Sequence, residues 1–554
     1  MTPATSTPPK RRPSGHGVVR GDSTTARSTM FEGRFGRIFR SLPPAEWPRE
    51  ALDQLGLKMT ADPEQENGLP IAPKEQGGRI QDDEENSGIP AGYTYLGQFI
   101  DHDITFDPAS SLQQRNDPDA LVDFRTPALD LDCVYGRGPD DQPYMYEPNG
   151  RRFRLGRPLF SNDKPSKVFD LPRSGDPGMP QRALIGDKRN DENVIISQLH
   201  GAMLRFHNSL ADESPDDSFA EIQRQVRWTY QWIVINDFLV KICGQKVVHE
   251  ILPHLKNGGP IWENKPRLHF YKYREDAFMP IEFAAAAYRF GHSMVRPIYR
   301  LNQELKDGTP DELKRGLGGR FFIFAGVQER GLGGFGEFPK QWAIDWSLYF
   351  DINGSIKKGG ASRVQPAYKL DTSLVNPLGF LPEFSKPPKP VGTPLTVETL
   401  QSIPIDTTGR NPSSLATRNL LRGMSMGLPS GQDVARAMGL APIEDKNLRI
   451  GKAILKEWNG SPTMADFADG AFEGKAPLWY YVLAEAHYEW KLRAEKKGGK
   501  GDEEPVYMGT VGGRIIAETL IGILLADGHS YLRQAPNWKP EKIASMGDIL
   551  KAVT

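Results

Sequence analysis

Gly97-Gln98-Phe99-Ile100-Asp101-His102-Asp103-Ile104-Thr105-Phe106-Asp107 is the stretch on which this chain turns. One histidine sits between two aspartates in an apolar run bounded by phenylalanines, and a third aspartate follows. A carboxylate taken out of water is costly unless it is paired, hydrogen-bonded or bound to a metal. Two roles account for the cluster: an aspartate ligating a hard cation, and a histidine held beside it for proton transfer. On a helix Gln98 and His102 share a face one turn apart. Asp101 and Asp103 then point away from each other, so that one faces the same site as His102 and the other a different pocket.

The next acidic cluster follows closely, in Arg125-Thr126-Pro127-Ala128-Leu129-Asp130-Leu131-Asp132. If this loop is extended, the Thr126 hydroxyl, the Ala128 carbonyl and the carboxylates of Asp130 and Asp132 project to one side. With Asp103 they make an all-oxygen set of the size Ca²⁺ uses, without the softer ligands a transition metal prefers. The same residues also read as an ordinary acidic turn.

Three further segments combine polar groups with helical patterning. Gly186-Asp187-Lys188-Arg189-Asn190-Asp191-Glu192 leads into a helix whose apolar positions Ile196, Leu199, Met203, Phe206 and Leu210 recur at three- and four-residue steps. Arg189 and Glu192 can share a face at its start, or simply form a solvated first turn. His200 and His207 on that helix read as hydrogen-bonded core histidines. Phe283-Ala284-Ala285-Ala286-Ala287-Tyr288-Arg289-Phe290-Gly291-His292 predicts part of one helix over 281–295, ending before Pro297. Its alanines and Gly291 leave so little bulk that a flat ligand could approach, with Ala285, Tyr288, Arg289 and His292 along one stripe. His292 is then either structural or an axial haem ligand. Asn419 and Arg422 lie on another helix, as a solvated polar face or as a partner for the far nitrogen of a ligand histidine.

Helical periodicity dominates the rest. Ser218 and Glu221 have capping-box spacing, and the helix they open runs toward Gly244. More helices are expected at 412–424, 431–438, 477–492 and 512–526, strand-like alternation is sparse, and no internal repeat is present. The chain therefore reads as mainly α, one large domain with long loops and little β. Residues 1–28 read as a disordered basic tail, 29–90 as an extended arm on the main body, and 91–545 as the main domain. Lys386-Pro387-Pro388-Lys389-Pro390 reads as a loop inside it.

The 554 residues carry 69 basic and 70 acidic side chains, a net charge of −1, which argues against nucleic acid or an anionic membrane as the main partner. No apolar run reaches the roughly 18–20 residues needed to span a bilayer. Ile515–Leu525, interrupted by Glu518, reads as a buried helix. No signal-peptide h-region is visible, which points to a cytoplasmic chain or one secreted by a leaderless route. Two cysteines, Cys133 and Cys243, fit a reducing compartment and are too far apart in sequence for a structural zinc site.

Taken in order, five motifs resemble the animal-type haem peroxidases of the peroxidase–cyclooxygenase superfamily, and bacterial-looking members in particular. They are Gln98 to Asp103, Thr126 to Gly136, Gly186-Asp187-x-Arg189-x-x-Glu192 with Arg205-x-His207-Asn208, Arg289-Phe290-Gly291-His292, and Asn419-x-x-Arg422. The resemblance implies a helical haem-peroxidase domain and a peroxidase that reduces H₂O₂ while oxidising phenolic donors, halides or thiocyanate. In it His102 is the distal histidine, with Gln98 ordering water or halide and Arg189 stabilising charge on the leaving oxygen. His292 is the proximal iron ligand, Asn419 accepts from its ring N–H, and Arg289 and Arg422 lie near the haem. Asp103, Thr126, Ala128, Asp130 and Asp132 hold Ca²⁺. Asp101 and Glu192 match carboxylates that form ester bonds to haem b in several relatives.

Two departures bear on activity. Asn193 stands where the strongest chloride oxidiser of the family has a Met, which puts chloride oxidation in doubt. Arg289 stands where fatty-acid dioxygenases carry a radical-forming Tyr, although Tyr288 is one residue away. A linoleate-type dioxygenase, a non-catalytic adhesion module on the same fold, and a non-haem metal hydrolase are the alternatives. The oligomeric state is left open.

Overall fold

The computed structural model describes residues 33–61 and 84–554, apart from 107–121, 124, 162–163, 176–180, 274–275, 306–318, 324–330, 353, 355–362, 382–411 and 499–503; between 65 and 80 only four two-residue strands are described, in backbone alone. The basic tail, Asp107 and the Lys386–Pro390 loop lie outside the described residues.

The helices that position the site are α1 (Arg49–Lys58), α2 (Gly92–Ile104), α3 (Asp132–Tyr135), α4 (Val194–Glu213), α5 (Phe219–Ile233), α6 (Leu239–Cys243), α7 (Ile281–Ala284), α8 (Leu415–Ser425), α9 (Gly431–Ala437), α10 (Leu478–Lys496), α11 (Thr510–Ala526) and α12 (Met546–Val553). The strands are short. β1 (Gly33–Gly36) lies between β3 (Val122–Asp123), antiparallel, and β4 (Met279–Pro280), parallel. β2 (Glu85–Pro90) pairs with β5 (Pro366–Tyr368) ahead of α2.

Local chemistry explains the helix boundaries. Ser218 and Glu221 form a reciprocal capping box at the start of α5, an arrangement worth about 1 kcal/mol. A π-helical turn, Val234–Phe238, joins α5 to α6, which ends at Gly244 with φ +84°, a conformation glycine adopts without steric cost. α11 is buried along almost its whole length. Its one buried carboxyl, Glu518, accepts the backbone N–H groups of His269, Phe270 and Tyr271 at 3.0, 2.7 and 3.0 Å. An apolar helix can therefore carry an acid without leaving it unsatisfied.

Three local expectations are corrected. The arm is not extended throughout, because α1 buries Ala51, Leu52 and Leu55 against α8; an amphipathic ten-residue segment gains more by packing than by lying open. The helix expected over 281–295 is broken: α7 ends at Ala284, Ala286 takes φ −135° and ψ −80°, and a separate 3₁₀ turn spans Ala287–His292. The acidic loop is a turn, with Ala128 N–H donating to Thr126 O and Leu131 held at φ +58°. Beyond residue 545, α12 packs against α4, and its first amide donates to Asp237.

Candidate functional site

α2 presents its motif on two faces. His102, in the last turn, is 5% exposed, and Asp103 is fully buried on another face. Asp103 meets Asp130 and Asp132, each carboxylate offering an oxygen within 4.8 Å of the others. Left-handed Leu131 turns the backbone so that its two acidic neighbours converge. Asp103 Oδ2 accepts Leu131 N–H at 3.2 Å, whereas its buried Oδ1 has no hydrogen bond among the described residues. Burial and the charges of Asp130 and Asp132 push the Asp103 carboxyl well above its usual range. Burial, followed by the charge of Asp132, pushes Asp130 up to about 7. Thr126 Oγ1 donates to Asp130 Oδ2 at 2.9 Å. Ala128 is half-buried in the same loop.

A buried chain of ion pairs links this cluster to the distal loop. Arg125 donates to Asp132 Oδ1 at 2.8 Å and also to Asp187. Asp187, held well below the usual carboxylate range by Arg189 and Arg125 despite its burial, accepts from Arg189 as well. The two loops approach so closely at Gly186 that a Cβ there would meet the carbonyls of Asp132 and Cys133 at 2.6 Å. Neither Asp187 nor Arg125 is marked for this role by the sequence, because their contact joins positions 62 apart and leaves no local signal.

The structure gathers Gln98, Asp101, His102, Arg189, Glu192 and Asn193. Gln98 Nε2 donates to Glu192 Oε1, and Asn193 Nδ2 lies 3.5 Å from Gln98 Oε1. Asp101 Oδ1 accepts from Thr105 Oγ1 at 3.0 Å. Asn193 caps α4, accepting the N–H groups of Ile195 and Ile196. Arg189, expected to stabilise charge on the leaving oxygen, is held by the protein itself. Its Nε and Nη2 are engaged by Asp187, its Nη2 also donates to the carbonyls of His102 (3.1 Å) and Thr105 (2.7 Å), and its guanidinium stacks 4.7 Å over Phe106. It closes the C-terminal end of α2 and stays a fixed charge near His102. Burial, reinforced by that charge, lowers His102 to about 4, so the ring is neutral at pH 7. Its Nδ1 faces Asn190 Oδ1 at 2.8 Å, while Nε2 makes no hydrogen bond among the described residues. His207 is a core histidine, with Nδ1 on the Tyr135 hydroxyl and Nε2 on Arg151 O.

The 3₁₀ turn carrying His292 packs against α2, α10 and α11, and Tyr288 OH donates to Gly97 O at 3.2 Å. A Cβ added at Gly291 would meet no atom within 4 Å, so open space borders His292. Burial, then the charge of Arg289, lowers His292 to about 3. Its Nδ1 lies 2.8 Å from Asn419 Nδ2, and its Nε2 makes no hydrogen bond among the described residues. Asn419 was expected to accept from this ring; instead its oxygen takes Arg289 Nη1 at 3.1 Å and its nitrogen faces Nδ1. Arg289 Nε also donates to Ala284 O, where α7 ends. Arg422 follows Asn419 by three residues on α8, half-buried.

These features define a helical protein with two histidine-centred sites on elements packed together and a buried acidic cluster beside one of them. The sequence profile of the animal haem peroxidase family matches residues 110–329. Thyroid peroxidase from Canis lupus familiaris is 26% identical over 247 residues, 41% of this chain and 24% of that protein. Dual oxidase from Drosophila melanogaster is 33% identical over 152 residues, 26% of this chain and 8% of that protein. The chain thus spans a quarter or less of the length of these two relatives. Peroxidase A from Dictyostelium discoideum superposes with a TM-score of 0.53 at 15% identity, over 94% of this chain and 93% of that one, which shows a shared fold. Residues 110–329 are thus similar to the animal haem peroxidase family, on a helical fold shared with peroxidase A. No helix among the described residues is long and apolar enough to cross a membrane.

Proposed function

We propose that the chain is a haem-dependent peroxidase that reduces H₂O₂ and oxidises a small donor, either a phenol or a halide or thiocyanate. The observation that supports this best is the pair of imidazoles whose Nδ1 atoms face asparagines and whose Nε2 atoms are open, on two elements tied by Tyr288 and Gly97. With open space beside Gly291, the residues present fit a haem. Such a group, when bound, supplies a redox iron at which a peroxide O–O bond is cleaved.

His292 Nε2 would hold the iron once the proton of the neutral ring sits on Nδ1, the nitrogen that now faces the Asn419 amide NH₂. Arg289 and Arg422 would pair with the haem propionates. Asn419 must rotate its amide, leaving Arg289, to accept from His292 N–H and make the ring a stronger donor. His102 Nε2 takes the peroxide's proton and returns it to the leaving oxygen, a role worth roughly 10²–10⁴ in rate. Arg189 favours the developing negative charge by its fixed position. Gln98 orders water or halide. Asp101 and Glu192 are the candidates for ester links to haem, and acid extraction returning only unmodified haem overturns those links. Tyr288 is buried with its hydroxyl on Gly97 O, which favours a peroxidase over a dioxygenase. Asn193, spent on capping α4, offers no thioether for a link to the haem, and chloride is not an expected substrate.

Asp103, Asp130 and Asp132 fit a hard dication, because three buried carboxylates so close together repel one another unless protonated or neutralised. The Thr126 hydroxyl and Ala128 carbonyl would complete the oxygen set. Protein loaded with haem is expected to show a Soret band that changes on adding H₂O₂, with turnover of a generic phenol; a chain that takes up haem but consumes no peroxide refutes the assignment. Asp103→Ala, or chelation, is expected to lower haem occupancy and rate together. Full activity in protein shown by elemental analysis to lack calcium removes the ion from the scheme.

A further inference from the structure

His102 and His200 sit at the two ends of one side-chain amide. Asn190 Oδ1 lies 2.8 Å from His102 Nδ1, and Asn190 Nδ2 lies 3.0 Å from His200 Nδ1. Asn190 and His200 are fully buried. An amide oxygen can only accept and an amide NH₂ can only donate. His102 therefore carries its proton on Nδ1 and keeps the lone pair on Nε2. His200 is the reverse, accepting at Nδ1 and protonated at Nε2, which has no hydrogen-bond partner among the described residues where the ring meets Phe99 edge-on at 6.2 Å. Fully buried and with one polar tie among the described residues, His200 is placed to choose which way the amide points.

The backbone holds the amide in register. Asn190 N–H donates to Asp187 O at 3.1 Å. The next residue, Asp191, accepts from both terminal nitrogens of Arg173 and from Ser197 Oγ. Asn190 therefore cannot follow His102 if that ring rotates; the ring must conform to the amide.

We propose that Asn190, oriented by His200, is a positioning residue that fixes His102 in the Nδ1–H tautomer and so keeps Nε2 as the base. This rests on His102 being the proton-transfer group of the proposed peroxidase. A proton on Nε2 would leave the reacting side with a donor where an acceptor is required.

The test uses the full chain carrying ¹⁵N-labelled histidine, before haem is added. Long-range proton–nitrogen correlation reads the tautomer of each ring, and His102→Ala identifies the signals of residue 102. The wild type is expected to show Nδ1–H. Asn190→Leu should move the proton to Nε2 or give a mixture, and after haem loading should lower kcat about 10–100-fold, the usual cost of losing such a partner, with KM for the phenolic donor unchanged. His200→Leu should do the same to a smaller extent. His200→Asn, which offers an acceptor oxygen near the position of Nδ1, should recover kcat relative to His200→Leu. A wild-type His102 protonated on Nε2 overturns the proposal, and that measurement does not depend on any variant folding. A folded Asn190→Leu protein with tautomer and kcat unaltered overturns it too. If His102→Ala turns over peroxide like the wild type, it is the peroxidase role of His102 that fails, while the tautomer measurement still decides the amide geometry.

Discussion

The distal and proximal sides of the site are built differently. On the distal side the polypeptide supplies a closed set of partners: His102 has Asn190, Asn190 has His200, and Arg189 has Asp187 and the end of α2. On the proximal side Asn419 points its oxygen at Arg289 and its nitrogen at His292, an arrangement that must be exchanged once His292 gives Nε2 to a metal. A preorganised side stabilises charge without rearranging during the reaction. A side that rearranges on loading couples cofactor capture to a change in side-chain pairing.

The largest expected effect separates the two sides. His292→Ala should abolish the Soret band in haem titrations, whereas His102→Ala should keep the band and lose roughly 10²–10⁴ in peroxide turnover. Equal loss of haem in both variants would erase the contrast. A smaller effect sharpens it. Asn419→Leu should bind haem but raise its reduction potential by roughly 60–120 mV, ten- to a hundredfold for one electron, read by spectroelectrochemistry; the same shift in Asn190→Leu would show that the sides are not independent.

The smallest effect concerns the helices behind the proximal turn. Glu485 on α10 accepts the first N–H groups of α11, and burial, followed by the charge of Glu489, pushes its carboxyl up to about 8. A folded value above the unfolded one, about 4.3, means that the folded state binds the extra proton. Its contribution is complete below about pH 4 and is lost as pH rises toward 8. Urea titrations between pH 5 and 8 should show Glu485→Gln losing stability less steeply than the wild type, by up to about 1.4 kcal/mol per pH unit. Parallel slopes contradict this assignment.

Much of the helical plan was legible, because periodicity and caps act within a few residues. Ser218 with Glu221, and the buried run around Glu518, needed no distant information. The broken helix at Ala284–Ala287 was not legible, since alanines favour helix and the break reflects how the turn seats on α2, α10 and α11. The same limit applied at the site. Asp103 beside His102 could be read as a pair because they are neighbours. The Asn190 bridge was invisible, because it joins positions 88 and 10 residues away, and an asparagine at the start of a helix has an ordinary explanation.

Glu518 sets a clock on folding. The three backbone amides it satisfies lie 247 to 249 residues earlier in the chain. At about 5–20 residues per second, a ribosome delivers Glu518 roughly 12–50 s after residues 269–271 emerge. Throughout that interval the segment leading into the proximal turn has no native partner for these amides. The His292 side of the molecule is therefore completed late in synthesis, whereas the side chains that hold His102 and Arg189, namely Asn190, His200, Asp187 and Arg125, have all emerged by residue 200.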